Sequence, residues 1–439
     1  MHQSVNHAQN VHIDLLSLIF SRSNQTEQVR LSQCSSRIFR SPLTTVTKLF
    51  ETEELTSSIL ERGSIQNSDI FLWEGLRVLS VDDNRKITAI PAVITNSLEE
   101  LKATGDCKLN KESLIGLTKL KKLNVEFNAK ITVIPKGISN TLEELNAGDY
   151  DCGLNDAALI GLTKLKKLYV SNNKKITTIP ETIANTLEEL DATGKCGLDD
   201  KSLAGLTKLK KLYVSNNKKI TVIPINIRDI LEELNAAGDC GLNDNGITNL
   251  TKLRKLNVES NEEITVIPPS ISDTLEELDV GVNSGIGDES LEFAGLTKLK
   301  ILKVNDNEKI TVIPSSISDT LEELDAEGNC GLDDKSLAMA PLTRLKKLDI
   351  SDNVNITIIP STIADTLEEL YAKQRCGLNN KSLATASLTR LKKLDVSYNE
   401  KITSIPINIV NTLKKLNVYN SGIDLAKIQI LNKNIQISF

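Results

Sequence analysis

Histidine, cysteine and the carboxylates are the side chains with which this chain could do chemistry, and their placement limits what that chemistry could be. All three histidines, His2, His7 and His12, fall within the first 12 residues. The rest of the chain therefore offers no Ser-His or Cys-His nucleophile pair and no histidine zinc set. Six of the seven cysteines, Cys107, Cys152, Cys196, Cys240, Cys330 and Cys376, recur in one slot of a repeat, too far apart in sequence to form Cys-x-x-Cys ligand pairs. No Gly-x-x-x-x-Gly-Lys-Ser/Thr phosphate loop occurs. Carboxylates are abundant, but they return at fixed positions, as a solvated lattice does and an isolated acid/base pair does not. The reading is a non-catalytic chain without metal or cofactor.

The aromatic residues carry the sharper signal. All six tyrosines, Tyr150, Tyr169, Tyr213, Tyr371, Tyr398 and Tyr419, lie on apolar-alternating stretches or at the turns after them, with Phe127 beside the first group. A tyrosine projecting from such a stretch offers large contact area with a polar tip, the side chain enriched in interface cores. Between the aromatic groups runs an acidic series, Asp279, Asp325, Asp349 and Asp395, whose partner would present Lys or Arg.

What must position these residues is a repeat. An Ile-Pro dipeptide ends at Pro91, Pro135, Pro180, Pro224, Pro268, Pro314, Pro360 and Pro406, in steps of 44 to 46 residues. A period this constant marks a stacked-repeat solenoid whose units bury apolar faces against their neighbours. Each period holds two shorter units. Unit A is Leu-x-x-Leu-x-Val-x-x-Asn followed by Ile-Thr-x-Ile-Pro-x-x-Ile, as in Leu165, Leu168, Val170, Asn173, Ile176, Ile179, Pro180 and Ile183. Unit B is Leu-x-x-Leu-x-Ala, a small turn, then Cys-Gly-Leu-x-x-x-x-Leu, as in Leu187, Leu190, Ala192, Cys196, Leu198 and Leu203. From Leu76 to Leu413 there are eight of each, 16 repeats in all.

Both units resemble leucine-rich repeats, A the type with an extended convex segment and B the cysteine-containing type with a short convex helix. The resemblance implies an α/β solenoid: a curved horseshoe with a parallel β-sheet on the concave face, short helices and extended segments on the convex face, and a small helical amino-terminal region. It places Tyr169, Tyr213 and Tyr371 on the concave face as contacts for a protein client, together with Phe127, Tyr150, Asp325, Asp349, Asp395, Tyr398 and Tyr419. The ladder asparagines, Asn173 and its equivalents, are structural, since an amide at that turn can satisfy backbone groups left unpaired indoors.

Charge alternates with the unit. Lys-Lys recurs in A strands (Lys166-Lys167, Lys210-Lys211) and Glu-Glu in B strands (Glu188-Glu189, Glu232-Glu233), so each acidic pair lies between basic ones. Stacking like on like is thereby penalised. The compensation, with a net charge of -6, leaves no basic track for nucleic acid. Hydrophobic residues make up 40% and aromatics only 3%, as Leu/Ile-filled repeats require. Cysteines of successive B units stand two strands apart, about 9.6 Å at the usual strand spacing, beyond the ~7 Å that a disulfide spans. Free, buried thiols are expected, hence an intracellular, reducing compartment, most simply the cytoplasm. The apolar run Leu15 to Phe20 is too short for a signal peptide or membrane span.

Residues 1–40 fall outside the repeat and read as two short amphipathic helices. The stretch containing Ile13, Leu16, Ile19, Phe20, Val29 and Leu31 resembles a degenerate F-box, which would dock a Skp-type adaptor of a ubiquitin ligase; the other reading is a cap over the first repeat. The Leu-Pro opening usual in that family is absent here, and Ile38 or Phe39 stands where Trp is typical. Residues 41–75 read as a helical linker or cap that includes Trp73, residues 76–422 as the solenoid, and the apolar tail 423–439 as a carboxyl-terminal cap. The expected function is substrate-receptor-like protein binding, the alternative an interaction scaffold, effector or structural component with no ligase link.

Overall fold

The computed structural model describes residues 54–55, 75–424 and 434–438. The chain divides into two compact units, Met1–Lys208 and Leu209–Phe439. In both, Leu at the first and fourth positions and Val or Ala at the sixth point one way along a three-residue strand, while the residues between point the other way. Leu165, Leu168 and Val170 are fully buried, as are Leu187, Leu190 and Ala192 one strand on. Each strand is too short to stand alone and is held by its neighbours.

The first unit stacks the strands Glu54–Leu55, Val78–Ser80, Glu100–Lys102, Lys122–Asn124, Glu144–Asn146, Lys167–Tyr169 and Glu189–Asp191, each parallel to the next. The second runs from Lys211–Tyr213 through Lys415–Asn417 to Gln436–Ser438, again parallel throughout. Register never slips, and central leucines meet central leucines, for example Leu168 with Leu190 and Leu324 with Leu348. Each unit is a solenoid of this kind, and among the described residues no helix is long and apolar enough to cross a membrane.

Two local expectations change. Where the sequence pattern reads as helix near Leu55, Glu54–Leu55 is a strand pairing with Val78 and Leu79. The reason is visible in hindsight: Glu53-Glu54-Leu55 is the B strand sentence with its first leucine missing. In addition, the A units are not purely extended on the side away from the strands. After the Ile-Pro step the chain makes a single helical turn, such as Glu181–Ala184 or Ile225–Arg228, with the proline as N-cap at φ near -60°. The inward Ile183 and Ile227 anchor these turns in the core.

Most B helices start on side-chain caps, the exception being Asp288–Ala294, which follows Gly287. Asp199 accepts the N–H groups of Lys201 and Ser202, and the Ser202 hydroxyl accepts the N–H of Asp199 in return; such caps stabilise a helix by about 1 kcal/mol. In three later repeats the helices lengthen to Asp288–Ala294, Asp334–Met339 and Asn380–Thr385. The glycine after the cysteine is dictated by space, because a Cβ on Gly197 would sit 2.2 Å from the Ile176 carbonyl oxygen.

Candidate functional site

The buried polar groups answer first to the fold. Asn173 donates through Nδ2 to the carbonyl oxygens of Ala147 (2.7 Å) and Leu154 (3.4 Å), and its Oδ1 accepts from the N–H groups of Lys175 (2.8 Å) and Ile176 (3.3 Å). Asn128, Asn261, Asn353 and Asn399 repeat the arrangement and also donate to the sulfur of the preceding cysteine, at 3.0 to 3.1 Å. Asn307, with Ser284 in the cysteine slot, donates as Asn173 does to two carbonyl oxygens, those of Val280 and Ile286. The six cysteines from Cys107 to Cys376 are free and buried. Burial pushes the thiols of Cys107, Cys152, Cys240, Cys330 and Cys376 up, the last two to about 11.

A second staple joins the segments opposite the strands. Asp156 accepts the N–H groups of Thr177 (2.6 Å) and Thr178 (3.0 Å) and the Thr177 hydroxyl (2.7 Å). Asp244, Asp288 and Asp334 hold Thr265, Thr311 and Thr357 in the same way, and Asn380 does so for Thr403. Reading the sequence attaches no such role to these aspartates. The Asp or Asn recurring three residues before the B-helix Leu or Ile (Asp156, Asp244, Asp288, Asp334, Asn380) and the Thr that recurs in each Ile-Thr-x-Ile-Pro step are the signal that could have found it.

On the strand face the Lys and Glu pairs interlock. Lys167 faces Glu189 (3.4 Å), Lys211 faces Glu233 (3.1 Å) and Lys255 faces Glu277 (2.8 Å). Such exposed pairs contribute about 0–1 kcal/mol each. Among the described strands the alternation loses its Lys at Val78 and Ile301, and like charges meet at the strand Lys415–Asn417, where Lys415 lies in register with Lys393.

The strand tyrosines belong to this lattice. Tyr169 donates to Glu189 and Tyr213 to Glu233, both at 2.8 Å. Burial, reinforced by the accepting Glu189 carboxylate, holds the Tyr169 phenol far above its ordinary range. Tyr371 donates to Glu369 (2.8 Å) and accepts from Lys393. Three ammonium groups ring it, with Lys393, Lys347 and Lys373 at 4.6, 5.7 and 5.8 Å from the ring centroid. These three tyrosines are half-buried. The aromatics beyond the strand ends are the exposed ones: Phe127 at 49%, Tyr150 at 46%, Tyr398 at 51% and Tyr419 at 49%. Tyr398 and Tyr419 meet edge to face at 5.2 Å.

The acidic series is interrupted. Lys303 stands in register between Asp279 and Asp325, and Tyr371 between Asp349 and Asp395. Asp325 and Asp349 are direct neighbours, and with Glu327 they bring carboxylate oxygens within 4.8 Å of one another. Burial raises the pKa of both Asp325 and Glu327, and the Asp349 charge adds to it. The group has the oxygen donors of a hard-cation site, but half-exposed acidic groups like these are common without an ion and do not define one. Ile13, Leu16, Ile19, Phe20, Val29 and Leu31 lie outside the described residues.

The geometry in each unit is that of a leucine-rich repeat solenoid: short parallel strands, an asparagine ladder at their ends, and one-turn helices on the return. Residues 164–186 match the family model described as Leucine Rich Repeat. No curated protein matches the chain. Among solved structures, it is similar to an LRR protein of Leptospira interrogans, at 21% identity over 91% of this chain and 98% of that one, with a TM-score of 0.43. It is also similar to an internalin of Listeria monocytogenes, at 21% identity over 79% and 82% of the two chains, with a TM-score of 0.32.

Proposed function

We propose that this is a non-catalytic protein-binding chain whose concave strand face takes a protein client. The observation carrying this reading is where the repeats differ. Core leucines, ladder asparagines and the Lys/Glu pairs are nearly constant, whereas the outward strand position runs through Tyr169, Asp191, Tyr213, Asn257, Asp325, Asp349, Tyr371 and Asp395. Variation confined to an outward-facing position of a rigid scaffold is what a recognition surface needs. The client is a protein with basic side chains to set against Asp325, Asp349 and Asp395 and apolar ones against the tyrosines.

Affinity purification with mass spectrometry identifies the client, and its binding is then measured to the wild type and to Tyr169→Ala with Tyr213→Ala. The expected result is a loss of affinity of about ten-fold or more with an unchanged fold by circular dichroism. Unchanged affinity rejects this face. The buried thiols support residence in a reducing, intracellular compartment. The finer proposal is that residues 11–40 dock a Skp-type adaptor, which would make the chain a substrate receptor; its support is the residue pattern from Ile13 to Leu31. Adaptor should be retained by the wild type and lost on charge substitution of Leu16 and Ile19. A wild type that retains none leaves the scaffold reading.

A further inference from the structure

Resting on the protein-binding reading, we propose that Phe127 and Tyr398 anchor a partner at the strand ends. In both places an aromatic replaces a residue that would serve the fold better. The partner segment presents Arg or Lys beside an apolar side chain.

The residue preceding each ladder asparagine has left-handed backbone, with φ of 54° at Asp83, 57° at Asn172 and Asn216, 56° at Ser260, 52° at Asp306 and 55° at Asp352. Asn and Asp tolerate this region, and bulky side chains do not. The short side chains also bind across to the next turn. Asp83, Asn172, Asn216 and Asp306 accept the backbone N–H groups of Asp106 (3.1 Å), Lys195 (3.2 Å), Asp239 (3.2 Å) and Asn329 (2.8 Å). Phe127 and Tyr398 stand at the same position with φ of 58° and 59°. They bear the backbone strain, have no oxygen placed to make that bond, and leave about half of their surface in water. An aromatic that neither packs inward nor suits its backbone is not there for folding, and strain of this kind concentrates at functional sites.

Each stands with a second exposed aromatic in its own unit. Tyr419 packs against Tyr398, and Tyr150 lies on the turn after the strand that follows Phe127. Charge selects the partner. Glu126 precedes Phe127, Asp149 and Asp151 flank Tyr150, and Glu400 follows Tyr398 by two residues. The Tyr150 ring already takes an ammonium from the chain, with Lys174 Nζ 5.1 Å from its centroid. Among the described residues no ammonium or guanidinium is placed over Phe127, Tyr398 or Tyr419. An aromatic pair under acidic flanks is the setting for a cation–π contact.

The test uses the full-length protein with ¹³C-labelled Phe and Tyr rings, titrated with Ac-Gly-Arg-Leu-Arg-Gly-NH2 and with its Glu-for-Arg counterpart. The Arg peptide should shift the Phe127 and Tyr398 ring signals saturably and the Glu peptide should not. Phe127→Asn and Tyr398→Asn should each melt at or above the wild-type temperature. Each should bind the Arg peptide about ten-fold more weakly at its own site. Equal response to both peptides, no response, or Asn variants that melt below the wild type would overturn the proposal. The readouts are ring shifts and melting, so failure here leaves the strand-face reading standing, and an unchanged client affinity in the Tyr169/Tyr213 variant leaves this one standing.

Discussion

Asp325→Asn should stabilise the protein at neutral pH and do almost nothing at pH 4. Asp325 and Asp349 sit side by side in register, and Glu327 completes a group whose oxygens lie within 4.8 Å of one another. At that distance two full charges repel by about 1 kcal/mol in a water-like dielectric and by ~3–4 kcal/mol at an effective dielectric of 20. Glu327 is half-exposed, and Lys303 and Lys373 oppose part of the repulsion, so the lower figure applies. The substitution keeps local geometry: Asp325 Oδ1 accepts the Glu327 N–H at 3.1 Å, as Asn235 Oδ1 accepts that of Ala237 at 3.1 Å.

The sign follows from proton binding. The Asp325 and Glu327 pKa values are raised in the folded state, so the folded chain holds these protons more tightly than the unfolded one. Their contribution is fully present below the ordinary carboxylate range and is lost as pH rises through the raised values. Melting should be followed by circular dichroism from pH 4 to 7.5, with chelator present so that adventitious cations do not neutralise the group. The variant should gain about 1–2 °C over the wild type at pH 7, and that gain should vanish toward pH 4. A gain independent of pH, or a variant less stable at pH 7, would refute the electrostatic account.

Two other expectations concern the interior. Asn173→Ala leaves two backbone N–H groups and two carbonyl groups without their side-chain partner, and should cost about 2–4 kcal/mol, read as a lowered denaturation midpoint. Native protein treated with Ellman's reagent at pH 8 should leave Cys107, Cys152, Cys196, Cys240, Cys330 and Cys376 unmodified until denaturant is added, since burial shields all six sulfurs; prompt labelling of any of these six, located by peptide mapping, would contradict it.

The repeat made most of the fold legible. Leu168, Val170, Asn173 and Cys196 could be given roles because equivalent residues perform the same task many times over, and the three-residue strands, their parallel order and the Lys/Glu interlock all follow from that pattern. Glu54–Leu55 escaped because its sentence occurs with the leading leucine absent, leaving a fragment that fits a helix as well as a strand. The Asp156 to Thr177 staple escaped for another reason: its partners are 21 residues apart and meet only once the coil pitch brings successive return segments together. The candidate site was legible in composition and not in energetics. Sequence located the tyrosines, but only the structure separates Tyr169 and Tyr213, whose hydroxyls are committed to glutamates, from Phe127 and Tyr398, whose rings are about half exposed and whose backbone is left-handed.

The Lys/Glu interlock also governs how such a chain can change its length. Removing or duplicating an A/B pair returns Lys beside Glu, whereas removing one strand sets Lys beside Lys all along the new junction. Viable insertions and deletions should therefore come in twos, and the steps of 44 to 46 residues between prolines measure the smallest permitted increment. Among the described strands, like charges meet at these positions where Lys393 lies beside Lys415, the kind of junction that an odd step would repeat.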